Sequence, residues 1–176
     1  LVIEQQQALS LLFSEAFDAM EVQNGITASN ALLNDWMTFL SRGSIKTATA
    51  VSDTHDVVNE SAGHSRTYVQ VDGSDSPATA TAELLVKGLK GHHATGTNGP
   101  FMRVTARRLD SSGTPQGEAV QVGGTVSVAP SMGEKLELTV DVQSPEWMTF
   151  DTFEVFTHEE GREALNGEEN AEWPAS

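Results

Sequence analysis

A short segment after a run of small residues carries three groups that can bind a metal or a proton. The run TATAV is followed by Ser52 and then by Asp53, Thr54, His55 and Asp56. If the strand persists through them, Asp53 and His55 point to the same side, because alternate side chains of a strand share a face. A carboxylate oxygen and an imidazole nitrogen that converge suit a borderline divalent metal such as zinc, manganese or iron. The pair therefore predicts a metal site; the alternative is a turn-capping aspartate beside a surface histidine.

The elements around this segment predict an alternation of helix and strand. Helix-forming residues dominate residues 1–16, and a strand is expected over Ala19–Gln23, closed by the turn signal Asn24-Gly25. The segment SNALLNDWMTFLSRG has apolar residues three and four apart, which predicts an amphipathic helix, and IKTATAVSD predicts the next strand. Helix, strand, helix, strand is typical of an α/β chain with a parallel sheet, in which functional groups collect at the carboxyl ends of the strands.

The apolar pattern changes along the second half of the chain. SRTYVQV indicates a strand, and SPATATAELLVKGLKG indicates a helix that begins behind Ser76. Beyond the glycine-rich HATGTNGP, the apolar residues alternate with polar ones in FMRVTA, in KLELTVDV and in a last run, FDTFEVFTH. Alternating runs separated by turn clusters predict a small antiparallel β-sandwich. We therefore expect an α/β part over residues 1–95, a β-sandwich over 96–160 and an acidic tail over 161–176.

The composition excludes several classes of function. The chain has 176 residues, no cysteine and a formal net charge of −15. Without cysteine it has no disulfide, no thiolate nucleophile and no cysteine-ligated zinc site. The negative charge argues against nucleic acid and against anionic membranes, because both are bound through clustered lysine and arginine. No apolar run approaches the roughly 20 residues that span a bilayer. The partner that we expect is a small-molecule substrate.

Five sequence blocks occur in a fixed order: FDAMEVQNG, NDWMTFLSRG, TATAVSDTH, GHSRTYV and TNGPFMRV. In this order they resemble the PHP superfamily of metal-dependent hydrolases, in its carbaryl-hydrolase-like branch, over roughly residues 14–105. The resemblance implies an α/β fold in which the C-terminal part of a PHP-type (βα) barrel is followed by the small antiparallel β-sandwich. It also implies two or three divalent metal ions, zinc, manganese or iron, in the intact parent protein.

The resemblance assigns roles to four residues. The family's last metal-binding motif, D-x-H, falls on Asp53 and His55. Glu21 and Arg66 lie in neighbouring blocks and are carried over as groups that contact the substrate or support the metal ligands, although a structural role in bracing backbone is the alternative for each. The chain departs from the family because it has no H-x-H pair and none of the ligands from the middle strands.

Two functions from different classes remain open. The first is a fragment of a metal-dependent hydrolase whose intact parent cleaves a phosphoester, an ester or a carbamate with a metal-bound hydroxide. The start at Leu1, with neither Met nor a basic leader, fits such a fragment, which would be inactive alone and would associate with further copies or with the N-terminal part of its parent. The second is a non-enzymatic binding module with a ligand surface on the β-sandwich. The compartment is not determined by the sequence, and an extracytoplasmic location stays open.

Overall fold

The computed structural model describes residues 14–156 except residue 26, residues 59–61 and residues 74–75. The described residues form two α-helices and eight strands, and the strands make up three small sheets. This part of the chain therefore has more β-structure than helix. Most of the helix predicted over residues 1–16, and the predicted acidic tail over 161–176, lie outside the described residues.

The first sheet contains the one parallel strand pair of the described chain. Strand β1 spans Ala19–Asn24, β2 spans Thr27–Ala28, helix α1 spans Asn30–Ser41 and β3 spans Thr47–Val51. The strand order is β2-β1-β3, and the parallel pair β1 and β3 is joined by α1. The predicted strand, helix and following strand are thus confirmed.

The second sheet is an antiparallel pair whose connection contains a helix. Strand β4 spans Arg66–Val69, helix α2 spans Ala82–Lys90 and β5 spans Ala94–Thr97. The hydroxyl of Thr81 accepts a hydrogen bond from the backbone N–H of Leu84 and caps the start of α2. The helix prediction is therefore right in type, although α2 begins after Thr81 instead of directly behind Ser76.

A threonine hydroxyl joins the second sheet to the first. Oγ1 of Thr67 accepts a hydrogen bond from the backbone N–H of Ala50 at 2.9 Å and donates one to its carbonyl at 2.8 Å. A Cβ on Gly96 would lie 2.9 Å from the Ala50 Cβ, and Thr47 contacts His92, so β5 runs alongside β3 in the same direction. Because β4 is antiparallel to β5, the residues that precede β4 lie toward the carboxyl end of β3.

The third sheet has one apolar and one polar face. Strands β6 (Phe101–Leu109), β7 (Pro115–Gln121) and β8 (Lys135–Gln143) are antiparallel in the order β7-β6-β8. Register places Met102 opposite Val142 and Val104 opposite Val140, whereas the ion pair of Arg107 with Glu137 lies on the other face. The last alternating run is not a strand in its described part, because residues 149–156 have no regular secondary structure.

The predicted fold class, the C-terminal part of a PHP-type (βα) barrel followed by a β-sandwich, is wrong. A (βα) barrel requires successive parallel strands, each followed by a helix. Here β3 leads without a helix to β4, whose partner β5 is antiparallel, and no barrel closes among the described residues. A sandwich requires two sheets face to face, whereas β6, β7 and β8 form a single three-stranded sheet in the described region.

Candidate functional site

The candidate site lies where the chain leaves β3. The strand ends at Val51, and Asp53 has a left-handed backbone with φ 49°. Nε2 of His55 donates a hydrogen bond to Oδ1 of Asp53 over 3.1 Å. The two side chains therefore converge through a turn, and not because they share the face of a continuing strand. A left-handed non-glycine residue is uncommon, and aspartate is among the residues that tolerate it best.

The spacing of the two donor atoms fits a shared metal ion. Ligand atoms about 2.1 Å from a zinc-sized ion, at angles between octahedral and tetrahedral, lie about 3.0–3.4 Å apart. The separation of 3.1 Å between the Asp53 oxygen and the His55 nitrogen falls in this range. The metal would replace the proton on Nε2, so its affinity must fall as the imidazole becomes protonated.

Both groups are accessible to solvent. The Asp53 side chain is 48% exposed and the His55 side chain is 78% exposed, so a hydrated cation can reach them. The net charge of −15 raises the local concentration of cations around the chain. Near the pair, the Thr54 hydroxyl donates to the Ser52 hydroxyl, and Oδ1 of Asp56 accepts from the Val58 backbone N–H.

The pair alone does not complete a hydrolytic metal centre. In the part of the chain that the structure describes, no group of three or more histidine, cysteine, aspartate or glutamate side chains is arranged to hold a metal. A catalytic zinc site uses three protein ligands and one open position. The described residues therefore do not show the three-ligand set of such a site.

Glu21 lies on β1, away from the turn that holds the pair. It is opposite Thr49 in the register of β1 with β3, and its Oε1 accepts a hydrogen bond from Nδ2 of Asn24 at 2.7 Å. Thr49 lies two residues before the end of β3 at Val51, and Asp53 follows that end. The structure therefore shows a local contact for Glu21, and its role toward a substrate stays a prediction.

Arg66 lies at the start of β4 with most of its donors engaged. Its Nη1 donates to the carbonyls of Gly63 and His64, at 2.9 and 3.2 Å, and its Nη2 lies 3.4 Å from the Gly99 carbonyl. Its Nε donates to the Tyr68 hydroxyl at 3.1 Å. These contacts tie the loop before β4 to the β5–β6 turn. Binding of an anionic substrate by Arg66 stays a prediction.

Two adjacent histidines connect α2 to other elements. Thr47, which is 2% exposed, donates its hydroxyl proton to the Leu89 carbonyl and accepts a hydrogen bond from Nδ1 of His92 at 2.8 Å. Nδ1 of His93 donates to the Val122 carbonyl at 2.7 Å. The sequence gives no sign of these contacts, because each partner is distant along the chain.

Two surface cavities lie along α2, away from the candidate site. One has a volume of about 690 Å³ and is lined by α2 residues, including Val86 and Lys87. The other, of about 210 Å³, lies between α2 and the segment after β4, where Asp72 and His93 line it. Neither is lined by Asp53 or His55, whose side chains are solvent-exposed.

Comparison of the chain with the profiles of known protein families, with curated proteins and with solved structures finds no match. None of the described helices has both the length and the apolar character needed to cross a membrane.

Proposed function

We propose that the chain is part of a metal-dependent hydrolase of the PHP type, in which Asp53 and His55 bind a divalent cation. One observation carries the proposal. The two donor atoms lie 3.1 Å apart on an accessible turn directly after a strand, at the spacing of two ligands of one metal ion. The order of the five sequence blocks supports the choice of family.

The proposed chemistry is the hydrolysis of a phosphoester, an ester or a carbamate. A bound zinc, manganese or iron ion would supply a water molecule acidified enough to act as nucleophile at neutral pH. Asp53 would neutralise part of the cation's charge, and His55 would bind through Nε2 after losing its proton. Glu21 and Arg66 would orient the substrate or support the ligands.

The remaining ligands, in this proposal, come from outside the described residues of this chain. Two protein ligands hold a metal weakly, and among the described residues no third ligand is arranged beside the exposed Asp53 and His55. A longer parent chain with an H-x-H pair upstream of Leu1 would complete the set. This chain alone is expected to bind metal weakly and to lack turnover.

Calorimetric titration with manganese or zinc tests the metal site. We expect the Asp53→Ala variant to bind at least about ten times more weakly than the native chain, because it loses a direct ligand. Asp35→Ala is the matched control, since it removes the same charge from an exposed position on α1. Equal affinity in the native chain and the Asp53→Ala variant would remove Asp53 from the site and with it the hydrolase proposal.

A non-enzymatic binding module remains the second candidate, favoured by the exposed apolar residues of the third sheet and the segment after it. Leu136 and Leu138 on β8 are 47% and 45% exposed, and Trp147 is 75% exposed. Exposed apolar patches of this kind are typical of interaction surfaces. If the chain binds no divalent cation, and if Leu138→Ser abolishes association with a partner or with a second copy, the module is the better interpretation.

A further inference from the structure

Ser65 is a buried polar residue at the carboxyl end of the first sheet. It is 2% exposed, and it lies directly before β4. Its hydroxyl accepts a hydrogen bond from Nε2 of Gln23 at 2.9 Å and donates one to the backbone carbonyl of Gly25. The Ser65 hydroxyl thus accepts from the next-to-last residue of β1 and donates to the turn that follows the strand.

The same contacts reach the exit of β3. The backbone N–H of Gly25 donates to the Val51 carbonyl at 2.9 Å, and Asn24 is opposite Val51 in the strand register. Val51 is the last residue of β3, and Asp53 follows two positions later. A continuous path of hydrogen bonds therefore runs from the Ser65 hydroxyl through Gly25 to the residue from which the metal-binding turn departs.

The turn depends on the direction in which the chain leaves β3. Asp53 adopts its left-handed backbone immediately after the strand, and only then does its carboxylate reach the His55 imidazole. Without the Ser65 hydroxyl, the Gly25 carbonyl and the Gln23 amide would each lose a partner in a partly buried space. The turn after β1 would then shift to find new partners, and the Val51 end of β3 would shift with it.

We propose that Ser65 is a positioning residue for the Asp53–His55 pair. Its hydroxyl holds the end of β1 against the end of β3, and so fixes the turn that brings the two ligands together. The effect on metal affinity rests on the proposed function, whereas the effect on the Asp53–His55 hydrogen bond does not.

Two measurements on the full chain test this role. Nitrogen-15 NMR of the His55 ring reports which ring nitrogen carries the proton, and calorimetry with zinc reports affinity. For Ser65→Ala we expect His55 to lose its preference for a proton on Nε2, and zinc affinity to fall about tenfold, as for other residues that orient ligands. Ser65→Thr, which keeps the hydroxyl, should retain both properties. Gln23→Met removes the amide that donates to Ser65, and it should shift the His55 ring signals in the same direction as Ser65→Ala but by a smaller amount. This variant replaces Ser65→Ala in the test if Ser65→Ala does not fold.

A variant at the opposite end of β3 separates positioning from general loss of stability. Thr47→Val removes a buried hydroxyl far from the turn, so it should destabilise the chain without changing the His55 ring signals. The proposal is overturned if Ser65→Ala leaves the ring signals unchanged, or if Thr47→Val changes them equally. If the native chain binds no zinc, the proposed function fails, and the ring signals alone still decide the role of Ser65.

Discussion

Replacement of Thr67 with valine removes a single oxygen atom from the junction between the first two sheets. The hydroxyl of Thr67 satisfies both backbone groups of Ala50, at 2.9 and 2.8 Å, in place of a neighbouring strand. Ala50 is 2% exposed, so water cannot replace the lost contacts. Valine preserves the shape of the side chain, and the variant therefore isolates the contribution of the two hydrogen bonds.

The expected cost follows from the two backbone groups that lose their partner. A buried donor or acceptor left without a partner costs about 1–3 kcal/mol, so the pair costs roughly 2–6 kcal/mol. The methyl group that replaces the hydroxyl recovers on the order of 1 kcal/mol of apolar burial. We therefore expect Thr67→Val to lower the free energy of unfolding by about 1–5 kcal/mol, a large share of the roughly 5–15 kcal/mol typical of a domain.

Urea denaturation followed by circular dichroism measures this difference. Thr67→Ser is the matched control, because it keeps the hydroxyl and loses only a methyl group, at a cost of about 1 kcal/mol. Valine at this position should be the more destabilising of the two, with an unchanged dependence on urea concentration. A valine variant as stable as the serine variant would show that the two hydrogen bonds of the Thr67 hydroxyl with the Ala50 backbone do not contribute to stability.

Two further predictions concern α2 and the loop beside it. Gly88→Ala should destabilise the chain by about 1–2 kcal/mol in urea denaturation, because the new Cβ would lie 2.5 Å from the Gln70 carbonyl oxygen. This cost should outweigh the helix propensity of alanine, which exceeds that of glycine by about 1 kcal/mol. The control is Val86→Ala, at an exposed position of the same helix, which should change stability by less than about 0.5 kcal/mol. The hydrogen bond and the charge of Lys87 hold the pKa of Asp72 below its usual 3.8, so this ion pair stabilises the fold above that pH and loses its effect as the pH falls through the lowered pKa. Carboxyl-carbon NMR should show the pKa of Asp72 rising in Lys87→Gln.

Each of these predictions has an outcome that contradicts it. A Gly88→Ala variant more stable than the native chain would show that α2 can move away from β4 at little cost. An unchanged titration of Asp72 in Lys87→Gln would show that the short contact between the two side chains does not persist in solution.

The elements with strong local signals could be predicted from the sequence. The strand before Asn24-Gly25 and the helix with Trp36 have spacing and boundary residues that do not depend on distant contacts. Gly43, with φ 76°, directly follows Arg42 at the end of that helix, a position that favours glycine. Strand β5 could not be predicted in this way, because Ala94–Thr97 has only small residues, includes Gly96 and is followed by the turn signal Asn98-Gly99. Its glycine is needed because a side chain at Gly96 would collide with Ala50.

The architecture could not be predicted from the order of the elements. The helix between β4 and β5 resembles the helix of a parallel crossover in sequence, yet the two strands are antiparallel. Both strands contact β3 at Ala50, through the Thr67 hydroxyl and through the close approach of Gly96, and neither contact leaves a local signal in the sequence. The resemblance to a barrel family predicted parallel strands here, and β4 and β5 are antiparallel.

The site was predicted in composition and only partly in geometry. The pairing of Asp53 with His55 was expected from two residues of an extended strand, and the contact is present. The strand has ended by then, and the left-handed Asp53 makes the contact instead. The hydrogen bonds of Ser65 that fix this turn join residues about 40 positions apart, so no local pattern reveals them.

The ring NMR signals of His55 during titration with manganese test directly whether Asp53 and His55 bind a divalent cation. Paramagnetic Mn²⁺ broadens the signals of nuclei close to its binding site, and the claim places that site between Oδ1 of Asp53 and Nε2 of His55. We expect selective broadening of the His55 ring signals at low manganese concentration. This broadening should disappear in Asp53→Ala and remain in Asp35→Ala. Broadening that is absent at His55, or that survives unchanged in Asp53→Ala, would contradict it.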